Sequence, residues 1–147
     1  RPPISTLFPY TTLFRSESNT FIPLYGTTRS PYGLMDFVRL QNLRQIGVEA
    51  SLKPTDKLTI EPGIHAFWLD SPTDAWYGSG GSSLGRDKTG QSGRELGGEV
   101  NVVAKYKVNN FASIEAGAVR FFAGDFAKRN GRPDAASSLY VQYVLRF

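Results

Sequence analysis

Few residues in this chain have the type and spacing to do covalent chemistry. Gly81-Ser82-Ser83-Leu84-Gly85 fits G-x-S-x-G. As a nucleophile turn that motif needs a strand before it, a helix after it and a downstream His. Here the surroundings are rich in Gly and Ser, and the one His, His65, lies upstream. Gly78-Ser79-Gly80 lacks the third glycine and the βαβ setting of a dinucleotide loop. His65 cannot form a zinc site alone, because zinc takes three or four ligands. The absence of Cys excludes a thiolate metal site, a cysteine nucleophile and a disulfide scaffold. Asp70, Asp74 and Asp87 are oxygen donors of the kind calcium accepts, and are read as solvated loop residues. The expectation is no catalytic residue, no cofactor and no metal; the chain is not read as an enzyme.

The other charged residues recur at alternate positions, which points to the elements that carry them. In 96–107, Leu96, Val100, Val102, Ala104 and Tyr106 share one parity, and Glu99, Asn101, Lys105 and Lys107 share the other with Glu95. In 58–69, Leu58, Ile60, Pro62, Ile64, Ala66 and Trp68 stand opposite Thr59, Glu61, Gly63 and His65. In 45–52, Ile46, Val48, Ala50 and Leu52 oppose Gln45, Gly47, Glu49 and Ser51. In 111–122, Ala112, Ile114, Ala116 and Ala118 oppose Ser113, Glu115 and Gly117. In 137–147, Leu139, Val141, Tyr143, Leu145 and Phe147 oppose Ser138, Gln142 and Arg146. Period 2 is the signature of a strand with one apolar and one polar face. Five strands are expected, most about the 9–11 residues that cross a bilayer at a tilt. Pro62 has no N–H for a ladder and implies a local defect.

Length and composition set the frame. The chain has 147 residues, 17 basic against 13 acidic, for a net charge of +4. Residues 1–16 read as a leader foreign to the fold, because Thr6–Ser16 resembles the translation of a sequencing-library adapter. Without Arg1 and Arg15, 15 basic residues face 13 acidic ones, or +2. So mild a balance argues for no nucleic-acid partner. Residues 17–147 read as the C-terminal part of one barrel domain. There is no run of 18 apolar residues for a membrane helix, which leaves a membrane β-barrel open.

Alternation alone does not choose between a soluble barrel, with its apolar face inward, and a membrane barrel, with that face toward lipid. Three features favour the membrane. Lys53–Lys57 and Val108–Asn110 are short turns, whereas 71–94 and 123–136 are long loops, the asymmetry of outer-membrane barrels. Phe147 ends an alternating apolar series, Leu139, Val141, Tyr143 and Leu145, that resembles the C-terminal signal read by barrel-insertion machinery. Small apolar residues sit beside Tyr106, Trp68, Phe122 and Tyr143, candidate aromatic girdle positions. On this reading Glu49, Glu61, His65, Glu99, Lys105, Lys107, Glu115 and Arg146 line a pore. Four acids and three bases give it mixed sign, where a single sign would select ions. Arg44 and Arg120 share the apolar parity near the outer rim, where a long side chain can snorkel; with them the bases lead five to four.

Several longer stretches add a resemblance. Leu52-Lys53-Pro54-Thr55-Asp56-Lys57-Leu58, Phe67-Trp68-Leu69-Asp70 and Asp74-Ala75-Trp76-Tyr77 are similar to segments of the alginate export outer-membrane barrel family. So are Ser92-Gly93-Arg94-Glu95-Leu96-Gly97, Val103-Ala104-Lys105-Tyr106-Lys107-Val108-Asn109 and Phe121-Phe122-Ala123-Gly124-Asp125-Phe126. The resemblance implies an all-β, antiparallel, up-and-down transmembrane β-barrel in a Gram-negative outer membrane. This chain would supply a C-terminal fragment of about five strands, a curved open sheet. It implies passive passage or export of an anionic polysaccharide, with membrane lipid as the surrounding partner. Two alternatives remain: a structural or adhesive barrel acting through its long loops, especially 76–94, and a soluble β-barrel binding module.

Overall fold

The computed structural model describes residues 32–146. The expected leader 1–16 and the terminal Phe147 lie outside the described residues. In chain order the elements are β1 (Leu43–Glu49), β2 (Leu52–Thr55), β3 (Leu58–Leu69), β4 (Ala75–Tyr77), β5 (Ser83–Arg86), β6 (Glu95–Lys107), β7 (Ala112–Ala123), α1 (Asp125–Arg129) and β8 (Ala136–Leu145). β1, β3, β6, β7 and β8 form one antiparallel sheet in that order, with β2 also paired to β3. The sheet is open: β1 and β8 each keep one unpaired edge. The fold is thus all-β, as the alternation predicts, and is a partial barrel wall.

The strand expected over 45–52 is divided, and Pro62 explains why. β1 ends at Glu49 opposite Gly63, and β2 resumes at Leu52 opposite Ile60, in unchanged register. Between them Ala50 donates its N–H to the Pro62 carbonyl at 3.0 Å. Pro62 has no N–H to return, so the ladder is interrupted there. The defect expected at Pro62 therefore falls on the neighbouring strand, while Pro62 itself stays in register with Val102 of β6.

β6 departs from simple alternation at its start. Phe67 pairs with Gly97 and Trp68 with Glu95, which leaves Leu96 as an extra residue. Gly97 has φ 140°, a conformation that suits glycine. This bulge turns Leu96 to the opposite face from the one alternation assigns it, where it is fully buried. Glu95 moves to the exposed side.

The connections alternate in length as expected. Thr55 Oγ1 accepts the Leu58 N–H at 3.1 Å in one tight turn. Asn109 Oδ1 accepts the Phe111 N–H at 2.8 Å in the other. The long connections are more ordered than their Gly/Ser content suggests. The first holds the β4–β5 hairpin, and Ser83 of the G-x-S-x-G match opens β5, with no helix following. The second holds α1, whose Phe126 and Ala127 are fully buried.

A candidate pore wall on the covered face of the sheet

Register assigns each side chain to a face. Gln45, Gly47 and Glu49 of β1 stand beside Phe67, His65 and Gly63 of β3. These continue into Gly97, Glu99 and Asn101 of β6, and then into Phe121 and Val119 of β7. Glu61, Lys105, Glu115 and Gln142 extend the same face toward the turns. Hence Glu49, Glu61, His65, Glu99, Lys105, Lys107, Glu115 and Arg146 share one face. The other face carries Ile46, Val48, Leu52, Ile64, Val100, Val102, Ile114 and Phe122, all exposed. On β8 it carries the exposed Leu139, Val141, Tyr143 and Leu145. A soluble barrel would bury these residues; here the polar face is the covered one.

The covered face has two zones. Toward the turns it is a ladder of charges. Lys105 Nζ lies 2.6 Å from Glu61 Oε2 and stands opposite Glu115 in the β6–β7 register. Glu115 Oε1 accepts the Tyr140 hydroxyl at 2.8 Å. Lys57, Lys107, Asn110 and Arg146 join Lys105 and Glu115 around an open groove of about 470 Å³. Lys107 and Arg146 make no ion pair among the described residues.

Toward the long loops the same face is apolar and dry. Phe67, Leu69, Leu96 and Phe121 from the strands meet Val38, Trp76, Phe126 and Ala127 from the segments outside them. Phe121 is the hub. Its ring lies edge-on to Phe37 at 5.3 Å and stacks with Phe67 at 6.4 Å and Trp76 at 6.5 Å. The described residues before β1, from Tyr32 on, pack on this face. The Trp76 indole donates to the Phe37 carbonyl at 2.8 Å. Asn42 bridges to Ser71 and Ala75 through its side-chain amide.

Between the zones sit the buried polar residues. Glu99 is 2% exposed. Its carboxylate accepts the Leu34 N–H at 2.6 Å, the Met35 N–H at 3.2 Å and the Asn101 amide at 3.1 Å. No cation reaches it among the described residues; backbone amides solvate the charge instead. His65 is 3% exposed and stacks on Phe67. Its Nδ1 lies 3.2 Å from Gln45 Nε2. Its Nε2 lies 3.4 Å from Glu49 Oε1, within ion-pair reach but without hydrogen-bond alignment. His65 is thus largely buried in the wall, and with Gln45, Gly47 and Glu49 it borders an open groove of about 330 Å³.

The rim arginines sit on the exposed face. Arg44 Nε meets Asp70 at 2.6 Å, and Arg120 lies over the Phe122 ring at 5.4 Å. The three loop aspartates do not converge. Asp70 holds Arg44, Asp74 accepts from its neighbour Ala75 N–H and from Tyr77, and Asp87 accepts from Thr89 and Ser92. No cluster of metal-ligating side chains exists among the described residues. Hydrogen bonds from the Thr89 hydroxyl, then from Ser92, hold the Asp87 carboxyl well below the usual carboxylate range.

Sequence reasoning did not single out Gln45, Asn101 and Tyr140, although all three lie on the polar parity. Residues 17–39 carry no period and read as irregular chain up to a strand opening near Leu40. The usable signal was the set of apolar residues on the polar parity, Phe67, Leu69, Val103, Val119 and Phe121, which need a cover.

An antiparallel sheet with an apolar exposed face, a polar covered face, short turns at one end and folded loops at the other is the wall of an outer-membrane-type β-barrel. The alginate export family model matches residues 13–141, and the chain belongs to that family. Its members are outer-membrane transport proteins. No curated protein matches the chain.

Proposed function

We propose that this sheet is one sector of a larger outer-membrane barrel that forms a passive channel for an anionic polysaccharide or a related solute. The observation that carries the reading is the inversion of the usual burial pattern. Apolar side chains alternate along all five long strands and are largely exposed, while most charged ones, the rim residues Arg44, Glu95 and Arg120 apart, share the opposite face. Such a wall suits lipid outside and water inside. Trp68 and Phe122 near the long-loop end, and Tyr106 and Tyr143 near the turn end, stand where two interfacial girdles would lie.

On this reading Glu61, Lys105 and Glu115 stiffen the wall by pairing across strands. Lys107 and Arg146 present uncompensated positive charge at the turn-side mouth and draw anions to it. Glu49, His65 and Glu99 contribute to the wall above them. The β8 series Leu139, Val141, Tyr143 and Leu145, with Phe147, serves recognition by insertion machinery. An adhesive role through the long loop is less well supported, because its largest side chain, Trp76, points into the inward cluster.

The test is conductance of the full-length protein in planar bilayers, with reversal potentials in a salt gradient. The expected result is an open channel with anion preference that weakens in Lys107→Gln and Arg146→Gln. A correctly folded barrel that carries no current would overturn the reading.

A further inference from the structure

The chain that precedes β1 does not leave the wall at its rim. It descends along the covered face, and its deepest described part, Tyr32–Met35, reaches the level of Glu99. Glu99 lies in the 13-residue β6, four residues below its long-loop end, or roughly 13 Å at about 3.3 Å per residue. The upper part of this segment has several ties of its own, through Phe37, Val38 and Asn42. Tyr32 and Met35 also pack against the apolar cluster, but among the described residues the side chain that hydrogen-bonds the backbone of the deep part is the Glu99 carboxylate. Gly33 makes that contact possible. It has φ 85°, and a Cβ there would meet Glu99 Oε1 at 2.6 Å. A cavity of about 460 Å³ opens directly beneath, lined by Gly33, Leu34, Glu49, Glu61 and Asn101.

We propose that residues 32–41 form a constriction segment inside the passage, and that Glu99 is the positioning residue that pins its tip to the wall and so sets the size limit for polar solutes. This rests on the channel reading and names the element that would restrict the channel. The segment is built for it in two ways. Its described deep end lies about a third of the way along β6 from the long-loop end, inside the passage and not at its rim. Its anchor is a buried carboxylate whose only charge compensation among the described residues comes from N–H donors, so loss of the pairing strands the charge and favours release.

The experiment uses the full-length barrel reconstituted in lipid, with Glu99→Ala, Glu99→Gln and Gly33→Ala. Folding is checked by heat-modifiable mobility. Single-channel conductance and the exclusion limit for neutral polymers should rise in Glu99→Ala and Gly33→Ala. Glu99→Gln, which keeps one acceptor oxygen, should fall between them and the parent. A merely structural role would lower insertion or current and would not widen the pore. A second readout uses the absence of natural Cys in this sequence. A Leu34→Cys reporter should react with a polar maleimide roughly 10- to 100-fold faster once Glu99 is Gln, the scale of losing one or two charge-assisted hydrogen bonds. If Glu99→Ala does not fold, Gly33→Ala and the reporter decide. A conducting parent with unchanged variants overturns this proposal alone. A folded parent that carries no current overturns the channel reading and this proposal together.

Discussion

Ile64 is the position at which lipid and water make the most different demands. It lies at the middle of the 12-residue β3, opposite Val48 on one side and Val100 on the other. It is 62% exposed. Were that face in water, Ile64→Arg would be a surface change worth about 0.5 kcal/mol in either direction. In lipid, an arginine at the midplane of a barrel wall costs about 2–4 kcal/mol. At about 1.4 kcal/mol per tenfold, that is roughly a 30- to 700-fold loss in the folding constant. Two controls fix the interpretation. Leu52→Arg changes an exposed residue on the same face close to the turn, where the cost falls to about 0–1 kcal/mol. Thr59→Arg adds the same charge on the covered face, beside the turn-side groove, and should cost about as little. The assay is reversible urea unfolding of the full-length barrel in lipid vesicles, with shifts in midpoint read at constant slope. An Ile64→Arg cost no larger than that of Leu52→Arg and Thr59→Arg would refute the assignment of this face to lipid.

Two further outcomes are expected. Phe121→Ala empties the hub of the dry cluster and removes three aromatic contacts; the loss should be about 3–5 kcal/mol in the same urea assay, and a loss under about 1 kcal/mol would mean that the loops do not pack on the wall. Asp87 organises the turn before β6 through Thr89 and Ser92, and its carboxyl is held below its ordinary value. Its contribution is therefore complete above the ordinary carboxylate value of about 4 and fades only as pH falls through the lower folded value. Amide exchange at Thr89 and Ser92 should keep its protection factor from about pH 7 to pH 5 and lose it in Asp87→Asn; protection already falling across that range would contradict the assignment.

What could be read from the sequence was whatever alternation controls. In a strand the face of a side chain is set by parity, so the shared face of Glu61, Lys105 and Glu115 followed from spacing alone. The inward turn of Leu96 did not, because one inserted residue inverts parity and nothing in an apolar/polar pattern marks the insertion. The pair Gly97-Gly98 inside a strand was the available hint. Pro62 carried its message correctly but to the wrong strand: the missing N–H breaks the ladder on the partner at Ala50–Ser51. The cover over Phe67 and Phe121 was not legible because it comes from chain with no period at all. Its deep end is met by a buried carboxylate, Glu99, that by parity alone looks like any other wall charge.

The two zones of the covered face place different demands on a solute. In the turn-side zone, Glu61, Lys105 and Glu115 alternate in sign over neighbouring strands and together leave one net negative charge. Lys57, Lys107 and Arg146 against Asp56 in the same groove outweigh it, so the turn-side zone is mildly positive. In the loop-side zone Val38, Trp76 and Phe126 pack over Phe67, Leu69, Leu96 and Phe121, so this part of the described wall is apolar and buried. A charged chain moving along this sector would be drawn in at the turn side and would meet a dry surface above Glu99. The mixed charges of this sector are thus no argument against an anionic solute. On the proposed channel reading, this sector would supply an entrance and a constriction.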